Sequence, residues 1–331
     1  MRRLISFIII LAAFLSTSCD AFHTASKTTV VSQGAPYELI VVCNQPEWEG
    51  ELGDTLRNIL TSPLPHLSQT EPPFDVLRVT NQGFGKLVVR HRNIFKVVIN
   101  ETISEPAIAV EYDLYSEPQI VMTLQGASEK IVTEYVWENR ENVRHVLEKA
   151  ERDRAVNYAG KFGLKQLERV IFDKFGFNMN IPQGYTLRSE SEDFLWMSYE
   201  YPTASQGVII YSYPANGNAS LKSDAILAAR NKFVARIPGP SDGSYMSTFM
   251  EVEPDYRIFR LEGRLWAENR GFWEVTGDYM GGPYVSYSTI DVATNRVITI
   301  DCYVFSPKLP KRNFLRGVEH LLYTVKFPEN K

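Results

Sequence analysis

Histidine and cysteine are scarce in this chain, with five histidines and three cysteines among 331 residues. His23, His66, His91, His145 and His320 each stand without a second histidine or cysteine at ligand spacing, which excludes the metal sites that such local pairs build. No Gly-x-Ser-x-Gly elbow, His-Glu-x-x-His, phosphate-binding loop or Ser-x-x-Lys occurs, so no familiar catalytic signature and no cofactor motif is present. Charge is nearly balanced at net −4, which withholds the basic footprint that nucleic acid requires. Beyond the first fifteen residues, no apolar run approaches the roughly 20 residues of a membrane-spanning helix.

Those first residues are distinctive. Met1-Arg2-Arg3 is followed by an apolar run from Leu4 to Leu15 and by Ser16-Thr17-Ser18 before Cys19. A basic start, a short apolar stretch and small residues at a cut describe a secretory signal. Cysteine at the cut marks a lipoprotein, because its thiol receives the diacylglycerol. Ser16 stands where leucine is usual, with Leu15 one place further back; this resembles the looser lipoboxes of Bacteroidota. Acylation by more than one chain, palmitate among the candidates, makes anchoring stable where one chain is marginal. The expected partner of Cys19 is therefore the bilayer itself. No acidic run of the kind that marks surface export follows Asp20. The expected place is the outer membrane of a bacterial envelope, facing the periplasm.

The chain divides into a signal (1–18), a lipidated polar tether (19–35), a first domain (36–162) and a second (163–331). Both read as α+β, with mostly antiparallel sheets packed by helices. In the first half, residues 37–42 and 86–90 read as strands and 49–60 as a helix. The longest helix spans 128–159, with Ser128 as its N-cap. In the second half, strands are expected at 256–266 and 271–279, and a last helix over 311–323. Each half ends in an apolar strand, a joint and an amphipathic helix, and a duplication is one reading of this echo. Cys43 and Cys302 sit on strand-like runs at opposite ends of the chain, which favours buried free thiols.

Four groups of residues stand out as candidates. Glu47, Glu49, Glu51 and Asp54 could supply the acid and base of a glycan or peptidoglycan hydrolase if two of them faced each other about 5–10 Å apart. The simpler account is that acidic residues favour the first turn of a helix. Lys86, Arg90, Arg92 and Lys96 form a basic stripe suited to an anionic ligand such as lipid phosphate, or to a solvated sheet face. Trp266, Trp273, Tyr279 and Tyr284 flank Gly281-Gly282-Pro283 and suit glycan or protein recognition, or else fill a core. Asp54-Thr55-Leu56 matches an O-glycosylation pattern used in Bacteroidota, with Thr55 as acceptor.

Several stretches resemble a Bacteroidota lipoprotein family, domain of unknown function 4837. They are Pro36-Tyr-Glu-Leu-Ile-Val-Val, Glu47-Trp-Glu-Gly-Glu-Leu-Gly-Asp-Thr-Leu-Arg, Leu64-Pro-His-Leu-Ser-Gln-Thr-Glu-Pro-Pro-Phe and Arg230-Asn-Lys-Phe-Val-Ala-Arg-Ile-Pro-Gly-Pro. The resemblance implies envelope location and a full-length architecture, and carries no catalytic residue with it. Asn180-Ile-Pro-Gln-Gly-Tyr, with the elements after it, resembles the start of a PsbP-type α/β/α sandwich, at the level of fold alone. The expected function is that of a non-enzymatic envelope lipoprotein that binds a partner protein or glycan, with glycan hydrolysis as the alternative.

Overall fold

A computed structural model describes residues 30–85 and 87–328; the expected signal, Cys19 and Lys86 lie outside them. The first domain runs β1 (Glu38–Val42), α1 (Gln45–Glu49), α2 (Glu51–Thr61), β2 (Asp75–Val79), β3 (Asn93–Ile99), β4 (Ala107–Tyr112), β5 (Ile120–Gly126), α3 (Glu129–Glu138) and α4 (Arg140–Lys161). β1 is apolar on both faces because both are covered. Leu39 and Val41 meet the helices, whereas Ile40 and Val42 join Ile94 and Val121 beneath Phe84 and Val88. α2 buries Leu52, Leu56, Ile59 and Leu60, an i, i+4, i+7, i+8 stripe facing the sheet.

The strand order is β2-β1-β3-β5-β4. β2, β1, β3 and β5 are mutually parallel, and β4 is an antiparallel edge. The expectation of mostly antiparallel pairing thus holds across the molecule through the second domain, while the first departs from it. Where a strand is expected at 86–90, Val88–Arg90 form a 3-10 turn. Gln119 Nε2 donates to the carbonyls of Val89 and His91 at 2.7 and 2.8 Å, drawing those acceptors away from a ladder. The long helix breaks at Asn139, which ends α3 and precedes α4; its side chain donates to Tyr135 O, which also keeps its backbone bond from Asn139 N. Ser128 does cap α3, accepting from Ile131 N.

The second domain contains α5 (Lys165–Phe175), β6 (Thr186–Ser191), β7 (Phe194–Glu200), β8 (Ser205–Pro214), α6 (Ser223–Val234) and β9 (Tyr245–Phe249). After these come β10 (Asp255–Leu261), β11 (Arg264–Thr276), β12 (Gly281–Asp291), β13 (Arg296–Phe305), α7 (Arg312–Glu319) and a 3-10 turn, His320–Thr324. The sheet order is β10-β11-β12-β13-β8-β7-β6, with β9 also on β11, and every pairing is antiparallel. The single strand expected over 256–266 is a hairpin, because Glu262 and Gly263 take φ of 50° and 73° and turn the chain.

Helices cover both faces. Leu167, Ile171, Leu315 and Val318 pack on one side with Trp266 and Tyr287, and Phe233 and Val234 on the other with Trp273 and Tyr284. The two sheets differ in connectivity, so the echo between the halves does not extend to topology. Cys43, just after β1, and Cys302, in β13, are buried free thiols, one in each domain. No helix among the described residues is long and apolar enough to cross a membrane.

Beneath α6 the core holds a fully buried ion pair. Arg230 Nε donates to Asp301 at 2.7 Å, its Nη1 donates to Thr248 Oγ1 at 2.8 Å, and its guanidinium lies 3.6 Å from the Tyr284 ring centroid. Removing one partner strands the other charge without water, so Asp301→Ala is expected to cost about 3–5 kcal/mol. Urea denaturation checks this; a loss under about 1 kcal/mol would show that the pair adds little once Thr248 and Tyr284 remain.

Candidate functional site

Where the domains meet, α4 presents Glu141, Arg144, His145, Glu148 and Arg152 along one side. Opposite stand α7 and the turn after it, with Arg312, Arg316, Glu319, His320 and Tyr323, and the β10–β11 hairpin, with Arg257, Phe259, Glu268 and Arg270. The loop at Leu64, Pro65 and Leu67 closes one end. The cleft between them has a volume of about 780 Å³.

α7 is held in place by the first domain. The N–H groups of Lys311, the residue before it, and of Arg312, its first residue, donate to the Glu71 carboxylate at 2.7 and 2.8 Å. Arg312 reaches back to Pro72 O at 2.7 Å and Asp75 at 2.6 Å, and Arg316 pairs with Glu148 at 2.7 Å. Arg316 also lies 4.3 Å from the centre of the Tyr37 ring. Tyr37, at φ 66°, is strained for a residue with a side chain. Its N–H donates to Glu151 and its hydroxyl lies 3.1 Å from His320 Nε2, which together hold that conformation.

Six arginines line the cleft against four glutamates. Arg257 and Arg270 share Glu268, and Arg270 also pairs with Glu319, which accepts from the Tyr287 hydroxyl at 2.8 Å. Burial raises the Glu319 carboxyl, but Arg270 and its other neighbours outweigh it and hold the group down at about 2. Burial lowers His320 to about 4, helped by Arg316 and Arg152 and opposed by Glu319, so the imidazole is neutral at pH 7. Arg152 stacks 4.2 Å from the Tyr323 ring centre. Neither Arg144 nor Arg152 has a carboxylate within 4.0 Å among the described residues. Two guanidinium groups therefore face the cleft uncompensated, and each presents a planar fork suited to phosphate or carboxylate. Among the described residues, no group of three or more His, Cys, Asp or Glu is placed to hold a metal.

The residues singled out from the sequence are dispersed. Arg90 is exposed at the end of the 3-10 turn, Arg92 pairs with buried Glu151 at 2.8 Å, and Lys96 lines a separate cavity in the first domain. Arg90, Arg92 and Lys96 thus do not form one surface, since they do not share a strand. Trp266, Trp273 and Tyr284 are buried, the two tryptophans on opposite faces of the sheet, and only Tyr279 is fully exposed. Strand alternation and the helices on both faces turn the expected aromatic surface into core. Glu49, Glu51 and Asp54 are exposed, Asp54 pairing with Arg57 at 2.6 Å, and only Glu47 reaches a cavity. The facing carboxyls that glycoside hydrolysis needs are therefore not formed by this group. Thr55 is half-buried within α2.

The arginines of the cleft escaped the sequence reading because they come from α4, β10, β11 and α7, each looking locally like a solvated charge. The one legible signal was the charged face of α4, where residues 141, 144, 145, 148 and 152 recur at helical spacing.

The architecture is that of a two-domain α+β protein with a polar cleft at the domain junction. Residues 164–324 match the domain of unknown function 4837, and residues 32–159 match a second, domain of unknown function 8532. The chain carries the two in tandem. The family resemblance therefore rests on the second domain, which contains Arg230–Pro240; the other three quoted stretches fall in the region of the second match. No curated protein matches the chain. A crystal structure from Bacteroides thetaiotaomicron is similar at 13% identity and a TM-score of 0.20, over 46% of each chain. The chain thus spans under half the length of that protein, and so low a score carries no inference about fold or activity.

The cleft makes stability pH-dependent. Unfolded His320 takes up a proton near pH 6.5 and the folded residue only near 4, so its stability contribution is whole above about 6.5 and falls as pH drops toward 4. Glu319 acts lower, being stabilising above about 4.5 and losing its contribution as pH falls through 2. The His320 shift corresponds to about 3 kcal/mol. His320→Gln is expected to flatten the fall in melting temperature between pH 6.5 and 4, while leaving the Glu319 component below it. Melts followed by circular dichroism across this range check the assignment, and an unchanged slope in the variant would overturn it.

Proposed function

We propose that this chain is a lipid-anchored protein of a bacterial envelope that binds, without catalysis, an anionic ligand in the cleft between its two domains. The observation that carries the reading is the uncompensated pair Arg144 and Arg152, facing a space of about 780 Å³ among other arginines already committed to carboxylates. A ligand bearing phosphate or carboxylate groups would supply the missing counter-charges, and the rings of Tyr37, Phe259 and Tyr323 offer it apolar contact. The anchor is supported by the basic start, apolar run and small residues that precede Cys19. An outer-membrane position facing the periplasm would set the cleft among lipid phosphates and acidic glycans.

Calorimetric titration of the detergent-solubilised full chain with inorganic pyrophosphate tests the cleft. Arg144→Gln and Arg152→Gln are each expected to weaken binding at least tenfold, in line with the roughly 1.5–3 kcal/mol of a charge-assisted hydrogen bond. Affinity should also fall as salt rises. Saturable binding that both variants leave unchanged would place the anion elsewhere.

The anchor has its own test. Cys19→Ser is expected to abolish incorporation of labelled palmitate and to release the chain from the membrane pellet on cell fractionation. Retained label in the variant would move the acyl group to another residue.

A further inference from the structure

A second cavity, of about 370 Å³, lies wholly within the first domain, bounded by Cys43, Asn44, Glu47, Asn81, Phe84, Lys96 and Ile99. Its position follows from topology. The chain leaves the carboxyl end of β1 toward β2 on one side, and leaves β3 toward β4 and then β5 on the other, so the strand order reverses between β1 and β3. In sheets of parallel strands, the crevice at such a reversal, outside the carboxyl ends, is where small ligands bind. Cys43 and Asn44 directly follow the last residue of β1, and Ile99 is the last of β3.

Two charged groups line this cavity without an ion-pair partner among the described residues. Glu47 Oε2 is buried and has no hydrogen-bond partner among the described residues, an arrangement that costs free energy unless something else satisfies it. Lys96 has no carboxylate within 4.0 Å among the described residues, its ammonium lying 5.8 Å from the centre of the Phe84 ring. Glu47 and Lys96 line the same space and do not pair with each other. Asn44 Oδ1 accepts from the Asn81 side chain at 3.2 Å, tying the loop after β2 to the end of β1. Burial, with Glu47 adding, lifts the Cys43 thiol to about 11, so it lines the cavity uncharged at pH 7.

We infer that this cavity binds a small zwitterion of the free α-amino acid type, its ammonium on Glu47 and its carboxylate on Lys96. A ligand with a single charge would meet only one of the two groups and leave the other without a counter-charge in the cavity. This site is separate from the interdomain cleft and does not depend on what the cleft binds.

The test is calorimetry of the detergent-solubilised full chain with each of the twenty free L-amino acids, with ethylamine and acetate as single-charge controls. At least one amino acid is expected to bind saturably, and at least tenfold more tightly than either control. Glu47→Gln and Lys96→Met are each expected to weaken it at least tenfold, with circular dichroism spectra unchanged. Melting temperature without ligand gives a second readout. Glu47→Gln is expected to raise it, since the substitution removes a charge whose Oε2 is buried without a partner among the described residues; a structural role for that carboxylate would lower it. The inference is overturned if no amino acid binds, if ethylamine or acetate binds as tightly, if both variants retain wild-type affinity, or if Glu47→Gln lowers the melting temperature.

Discussion

The start of α7 has no cap of its own, and the way it acquires one organises the molecule. Lys311 stands at the position where Ser, Thr, Asp or Asn would normally accept the first free N–H groups of the helix. The acceptor is instead the Glu71 carboxylate, which comes from the other domain and is itself nearly buried. A negative group at the positive end of a helix is favoured twice, by hydrogen bonding and by the dipole. Arg312 then returns to Pro72 and Asp75, so that the two domains grip each other through one helical turn. Separating them would leave a carboxylate and two backbone donors without partners. The placement of Arg316, Glu319 and His320, and with it one wall of the cleft, depends on this contact.

Tyr37 lies where several of these constraints converge. Its left-handed backbone angle sets the ring under Arg316 and the hydroxyl against His320. Burial pushes the phenol pKa well above its ordinary range, with Arg316 partly offsetting, and His320 is pushed down. The pair therefore stays uncharged at neutral pH. On its far side lies another space, of about 730 Å³, lined by Tyr185, Tyr199, Tyr201 and Phe314. The contact thus divides the junction into an arginine-rich side and an aromatic one. Unpaired arginine is concentrated where α4 and α7 converge, whereas on the aromatic side Arg92 and Arg154 are both paired with Glu151.

Much of the local structure was legible. The stripe of Leu52, Leu56, Ile59 and Leu60 announces α2, the β-branched run after Glu38 announces β1, and Ser128 marks the start of α3. The parallel sheet of the first domain could have been read from a strand, a helix and a second strand in succession at 38–79, since such a unit pairs its strands in parallel. Other features left little local trace. A lone Asn139 is a weak stop signal inside a long helical pattern, and Glu262-Gly263 is a weak turn signal inside a strand-like run. Trp266 and Trp273 look like surface candidates or core residues equally well until the helices over each face are known.

By itself the sequence determined the α+β class, the periodic cores of the individual elements, the scarcity of metal ligands, and the expectation of a lipid anchor at Cys19. Each of these is written within a dozen or so neighbouring residues, where hydrophobic period and composition act directly. Tertiary structure alone decided which charges would meet. Glu71 lies 240 residues from the N–H group it caps, and Arg152 and Tyr323 stack only because α4 runs beside the final turn. A charged side chain has the same appearance in sequence whether it is solvated, paired or aimed unpaired into a cleft. The difference arises from which surfaces lose water when the domains pack, and that is a property of the folded chain.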